Sequence, residues 1–153
     1  MDNTMTMSIS IPSDDQGYIL LQCEYCGSFF KIPTECFEDD SILNISCPSC
    51  GLISDNYLTK EVLDLAQAKI HNYAMDLIHQ TLKDMERKSK KSSIHIKASS
   101  RYDKDDEAPI KTKIDTLLIA KFKCCNKTAK VSPLIKYAGC YCPYCGVIDF
   151  EVE

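Results

Sequence analysis

The sequence lacks several features that would place it in a common class of protein. It has no tryptophan, three histidines and five glycines among 153 residues. Residues 1–16 contain no lysine, no arginine and no continuous apolar run, so they do not resemble a secretory signal peptide. No stretch approaches the roughly 20 consecutive apolar residues of a membrane-spanning helix. These absences predict a cytoplasmic protein without a membrane segment.

The motifs of common enzyme classes are missing as well. The sequence contains no H-E-x-x-H, no phosphate-binding loop and no G-x-S-x-G. His71 and His79 are too far apart on a helix to chelate one ion as an i, i+4 pair would. Zinc deaminases need an H-x-E, and no histidine here has that context. We therefore expect no enzymatic activity.

Cysteine, in contrast, is abundant, with 10 copies in the chain. In a reducing compartment, paired cysteines usually bind metal instead of forming disulfides. The first group has the spacing C-x₂-C…C-x₂-C, a strong zinc signature, because each tight turn aims two sulfurs at one metal. Four thiolates fill the shell, so the predicted site is structural; iron is the main competing metal. Its predicted ligands are Cys23, Cys26, Cys47 and Cys50.

A second cysteine group repeats the first. The segment 26–32 aligns with 125–131, and 47–53 aligns with 142–148. Three of the four ligands have an equivalent cysteine in the second group, but Phe122 occupies the position equivalent to Cys23. The fourth ligand is therefore either Cys124, which we favour, or Cys140. The predicted second site comprises Cys124, Cys125, Cys142 and Cys145, with Cys140 as the substitute for Cys124. Two zinc ions per chain are expected.

These motifs resemble a known type of metal module. Each unit looks like the zinc ribbon of general transcription factor IIB and of RNA polymerase subunits. The whole chain, which ends in Cys140-Tyr-Cys-Pro-Tyr-Cys-Gly146, is similar to bacterial proteins that contain zinc ribbons. The resemblance implies the ribbon fold and zinc. It implies little about biological role, because one fold serves many functions.

The composition of the sequence divides the chain into a long helix, a linker and an N-terminal arm besides the two cysteine units. A long helix is predicted because one stretch lacks glycine and proline and repeats apolar residues every three or four positions. The predicted fold class is α+β, with two small zinc-ribbon β units joined by a long α-helix. The predicted segments are an N-terminal arm (1–16), ribbon 1 (17–54), the helix (56–88), a charged linker (89–109) and ribbon 2 (110–153).

One side of the predicted helix is an apolar stripe that another surface must cover. The stripe includes Ile70, Tyr73, Leu77, Ile78, Leu82 and Met85. Either Ile114, Leu117, Leu118 and Ile119 fold back on it, or a partner does. Our first hypothesis is therefore an adaptor that docks a protein partner, or another copy, through this stripe. The alternative is a nucleic-acid-binding protein that uses the basic 87–101 segment and ribbon 2. Its candidate contacts are Lys121, Lys123, Lys127, Lys130 and Tyr144.

Overall fold

The structure, a computed structural model, describes residues 5–90, 97 and 102–153. The described chain forms two compact units. The β unit combines parts of Met1–Lys60 and Lys111–Glu153, and the helical unit falls within Glu61–Ile110. The fold class is α+β, as predicted. Most of the basic 87–101 segment, and residues 1–4 of the predicted arm, lie outside the described residues.

The β unit is built from short antiparallel strands and two short helices. Its main sheet has the order β1-β2-β4-β3, and β5 pairs with β6 in a second sheet. The strands are β1 (Tyr18–Gln22), β2 (Phe29–Pro33), β3 (Leu118–Lys121), β4 (Thr128–Val131), β5 (Cys140–Tyr141) and β6 (Ile148–Asp149). The helices α1 (Thr34–Phe37) and α3 (Pro133–Ala138) follow β2 and β4 at equivalent places in the two ribbons.

The two ribbons share the main sheet, which the sequence did not predict. Strand β2 of ribbon 1 pairs with β4 of ribbon 2 at Lys31 and Lys130, the positions that the repeat alignment superposes. Two further hydrogen bonds join equivalent groups. The Ser46 N–H donates to the Pro143 carbonyl at 2.8 Å, and the Tyr141 N–H donates to the Pro48 carbonyl at 2.9 Å. The ribbons are therefore related by a local two-fold axis.

One hydrophobic core serves both ribbons. Leu21, Phe30 and Ile32 from ribbon 1 lie in the same buried cluster as Phe122 and Val131 from ribbon 2. Burying each large apolar side chain contributes about 1.5–3 kcal/mol. Because the core is common, the stability of each ribbon depends on the other.

The N-terminal approach to β1 is ordered by a turn. The Asp14 carboxylate accepts hydrogen bonds from the backbone N–H groups of Gln16 and Tyr18, both at 3.0 Å. Ser13 forms a β-bridge with Ile19. Residues 13–16, which the composition placed in the arm, thus belong to the β unit.

The helical unit is dominated by α2 (Lys60–Ser89), a helix of 30 residues, where 56–88 was predicted. The segment 102–107 binds one side of it through polar contacts. The His71 Nδ1 lies 2.7 Å from the Asp105 carboxylate, and Lys104 pairs with Asp76 at 2.9 Å. Asn72 donates to the Asp105 carbonyl and accepts from its N–H. None of the helices in the described chain is long and apolar enough to cross a membrane.

Leu118 and Ile119, two of the residues considered as a cover for the helix stripe, belong instead to β3 of the main sheet.

Candidate metal centres

Four tight turns present the cysteines. In each turn a backbone N–H donates to the carbonyl four residues earlier, as from Gly51 to Cys47 and from Gly146 to Cys142, both at 2.8 Å. The donor residue has a positive φ, which glycine adopts without strain. The third turn has Asn126 at this position, with φ 57°. As the repeat alignment predicts, Gly27 and Asn126 are equivalent.

The first site brings four sulfurs together. The Sγ atoms of Cys23, Cys26, Cys47 and Cys50 all lie within 4.8 Å of one another. Cys23 and Cys50 are 3.8 Å apart, and Cys26 and Cys47 are 3.6 Å apart. A disulfide would need ~2.05 Å. A tetrahedral Zn–S distance of ~2.3 Å gives sulfur–sulfur edges of about 3.8 Å. The four thiols therefore fit zinc.

The second site is assembled from Cys124, Cys125, Cys142 and Cys145, whose sulfurs also lie within 4.8 Å of one another. Cys125 and Cys142 are 3.6 Å apart. Together the two groups are consistent with two zinc ions per chain. In each, four thiolates would complete a tetrahedral shell and leave no open position for substrate or water.

The choice between Cys124 and Cys140 follows from where each side chain lies. Cys124 is exposed on the third turn, beside Cys125. Cys140 is buried in the core on β5 and is not one of the four clustered thiols. Cys140 acts as a small apolar core residue.

The protonation of the ligands differs with their surroundings. Burial opposes ionisation of Cys26, but hydrogen bonds from Ser28 and from the Cys47 and Cys23 thiols outweigh it and lower its pKa to about 7. Burial raises the pKa of Cys47 and, in ribbon 2, of Cys142. Without a cation these buried thiolates are costly. A divalent ion therefore stabilises the turn that holds them.

The lysines that were nucleic-acid candidates mostly have partners within the chain. Lys130 is buried and bonds Asp14 at 2.6 Å. Lys127 pairs with Asp39 at 3.4 Å, and Lys123 pairs with Glu151 at 3.0 Å. Lys121 is exposed at the end of β3.

Tyr144, the aromatic candidate, is also engaged. Its hydroxyl donates to the Thr128 carbonyl at 2.7 Å, and burial raises its pKa. The Lys127 ammonium lies 5.3 Å from the ring centroid. The ring is therefore held against β4 and does not stand free for stacking on a base.

Asp14 was not predicted from the sequence as a functional or structural residue. Its carboxylate lies at the local two-fold axis, 3.2 Å from the Lys31 Nζ and 2.6 Å from the Lys130 Nζ. Burial opposes its ionisation, but hydrogen bonds from Lys130, the Tyr18 N–H and Lys31 outweigh it, so its pKa is well below the ordinary value. A lysine at the same position in both repeats, each within an apolar strand, is the signal that a countercharge was needed.

In comparisons with protein-family models, curated proteins and solved structures, no match to this chain was found. The assignment of zinc ribbons therefore rests on the two cysteine groups and the turns that hold them.

Proposed function

We propose that this protein is a non-catalytic zinc-binding adaptor that docks a protein partner through one face of α2. On the cysteine motifs we also infer a cytoplasmic bacterial protein of the transcription factor IIB ribbon type. Both metal sites would be closed shells of four thiolates, which suits a structural role and leaves no position for substrate.

The observation that carries the proposal is an exposed apolar face on α2. Its six large side chains are each between 37% and 59% exposed. Several such residues together form the kind of patch that marks an interaction site. We define the apolar face as Ile70, Tyr73, Leu77, Ile78, Leu82 and Met85.

The opposite side of the helix supports this interpretation. At about 100° per residue, Asn72, Asp76 and His79 lie nearly diametrically opposite the centre of the apolar face. These are residues that contact the 102–107 segment through hydrogen bonds, an ion pair and a ring contact. Among the described residues, the 102–107 segment covers the polar side of the helix, whereas the apolar face stays exposed and can receive a partner.

The alternative, nucleic-acid binding, receives less support. Phosphate binding needs unpaired cations on one surface. Lys123, Lys127 and Lys130 have carboxylate partners within the β unit. Lys121 is the one candidate lysine that is exposed and has no ion pair among the described residues.

The test compares three proteins in affinity capture from a bacterial extract. The face variant carries Leu77→Asp and Leu82→Asp. The matched control carries Lys83→Asp, which makes the same change in net charge on the other side of the helix. We expect proteins that the wild type and the control retain at high salt to be lost from the face variant. Each protein should keep two zinc ions and its helix content.

Two results would overturn the proposal. The first is identical capture by the face variant and the control. The second is a single-stranded or duplex oligonucleotide that binds the wild type with steep salt dependence and is released by Lys121→Glu, which would establish the nucleic-acid alternative.

A further inference from the structure

We propose that the apolar face of α2 pairs with the same face of a second copy, with the two helices antiparallel and crossing between Leu77 and Ile78. This inference rests on the proposed function, because it names the partner of the same surface.

The spacing of the apolar face is the main observation. Read toward the C-terminus from its midpoint, the exposed positions are Ile78, Leu82 and Met85; read toward the N-terminus, they are Leu77, Tyr73 and Ile70. The intervals of four and then three residues are the same in both directions. In an antiparallel pair centred on this midpoint, each of the six side chains therefore lies opposite another apolar side chain.

Such an arrangement satisfies a two-fold interface. In an isologous contact the same patch serves both subunits, so position i meets position j and j meets i. Here Ile70 of one copy lies opposite Met85 of the other, Tyr73 opposite Leu82, and Leu77 opposite Ile78. Residues four apart, such as Tyr73 and Leu77, form ridges that pack well at a crossing of about −50°.

A parallel pair fits the same residues poorly. A parallel zipper needs apolar residues in one continuous heptad frame. The frame that begins with Ile70, Tyr73 and Leu77 continues to Gln80 and Asp84, both polar. A parallel pair would therefore bring the two Asp84 carboxylates to the same seam.

The area of the face predicts how strong the association is. Six partly exposed large side chains present several hundred Å² on each copy. Two copies would bury on the order of 1,000 Å² in total, near the lower limit for a specific interface. We therefore expect a reversible dimer whose population depends on protein concentration.

Sedimentation equilibrium of the zinc-loaded full chain from about 1 to 100 μM tests the dimer. The wild type and Lys83→Asp should approach twice the 17.3 kDa chain mass, and Leu77→Asp should remain monomeric with two zinc ions bound. A wild-type monomer throughout the range would overturn the second-copy inference. In that case the affinity capture described above would still decide the proposed function independently. A dimer equally weakened by both variants would also overturn the inference.

Photo-crosslinking tests the orientation. Replacing Tyr73 with p-benzoylphenylalanine and mixing isotope-labelled and unlabelled copies identifies crosslinks between chains. We expect the crosslinked peptide to contain Ile78–Met85 of the other copy. Crosslinks confined to 70–77 would indicate a parallel pair, and crosslinks to the β unit would indicate a different interface; either result overturns the inference.

Discussion

The two ribbons reach the same four-sulfur arrangement with different cysteines. Ribbon 1 contributes Cys23 to its four-sulfur group, whereas ribbon 2 has Phe122 at the equivalent position and contributes Cys124, two residues later. The equivalent positions on the neighbouring strands differ in the opposite direction. Ribbon 1 has the large Phe30 on β2, whereas ribbon 2 has the small Ala129 on β4. All four side chains of these two positions are fully or almost fully buried.

We infer from this difference that core volume decides where the fourth cysteine of each group lies. Each ribbon has one large and one small side chain at its two equivalent positions, Cys23 with Phe30 and Ala129 with Phe122. Close-packed cores tolerate exchanges that conserve total volume. We expect that when a large ring occupies the position of Cys23, the four-sulfur group is completed by a cysteine in the exposed part of the turn.

The largest expected effect comes from breaking ribbon 1. Cys50→Ser should remove the first zinc and, because β2 pairs with β4 and the core is shared, should also destabilise ribbon 2. Structural zinc sites contribute about 10–16 kcal/mol in small peptides, so we expect a loss of several kcal/mol here. Zinc stoichiometry and hydrogen exchange of β4 amides measure both effects. Unchanged protection at Ala129 and Lys130 would contradict the coupling.

The comparison between Cys124 and Cys140 gives the next largest effect. Cys124→Ser should lose the second zinc ion. Cys140→Ser should keep both ions and cost about 1–3 kcal/mol, because it buries a hydroxyl in the core. Elemental analysis and chemical denaturation of the two variants provide the measurement. Retention of two zinc ions by Cys124→Ser would show that this residue is not a ligand.

A triple variant sharpens this prediction. Phe122→Cys with Ala129→Phe gives ribbon 2 the side chains of ribbon 1 at both positions. In that background Cys124→Ser should bind two zinc ions again. If the triple variant folds but binds one ion, core volume does not determine the ligand position.

Asp14→Asn tests the single carboxylate that pairs with two equivalent lysines and so breaks the two-fold symmetry. The substitution removes the carboxylate that pairs with both Lys31 and Lys130, whose side chains are 5% and 10% exposed. Removing one partner of a buried ion pair costs about 3–5 kcal/mol. Urea unfolding at neutral pH should show this loss. Asp15→Asn, at an exposed position, is the control and should change stability by no more than about 0.5 kcal/mol.

The contribution of the Asp14 carboxylate to the stability of the fold should depend on pH, and the lowered pKa gives the direction of that dependence. The pKa of Asp14 is lowered in the folded protein from its ordinary value of 3.8. A depressed pKa stabilises the fold above the ordinary value and loses that contribution as pH falls below it. The stability difference between wild type and Asp14→Asn should therefore be constant from neutral pH to about pH 5 and should shrink only below about pH 4.

The smallest effect compares equivalent glycines. A Cβ at Gly51 would lie 2.9 Å from the Tyr141 ring, whereas one at Gly146 would lie 3.2 Å from the Ser46 hydroxyl. Both positions have positive φ, so each alanine substitution should cost about 1–2 kcal/mol. Gly51→Ala should cost about 1–3 kcal/mol more, because it also overpacks the ring.

Thermal unfolding of both glycine variants measures that difference. Adding Tyr141→Ser should remove the excess cost at Gly51. Equal costs for the two single variants would mean that the ring moves aside without penalty.

The parts of the molecule that the sequence predicted are those governed by local spacing. Cysteine pairs and the glycines after them define turns within a few residues, and the 3.6-residue period identifies α2 to within four residues of its start. The sharing of one sheet was not predictable in the same way. It depends on two distant strand edges, around Lys31 and Lys130, that meet through non-local pairing.

Two other features were obscured by composition. Asp14 lies in a polar stretch of serines and aspartates, where nothing local distinguishes it from Asp15. Lys104 and Asp105 belong to a mostly acidic run, 103–107, that was interpreted as part of a linker. Their contacts with Asp76 and His71 join residues that are far apart in the sequence, and short-range spacing patterns do not predict such contacts.

A single chain that contains both halves of a two-fold structure has an evolutionary freedom that a homodimer lacks. In a homodimer every substitution appears twice, so a tyrosine that crosses to meet a glycine must do so on both sides. Here Tyr141 meets Gly51 on one side while the smaller Ser46 meets Gly146 on the other. Each interface of the pair can therefore change separately, and new recognition surfaces can arise on one ribbon while the other preserves the fold.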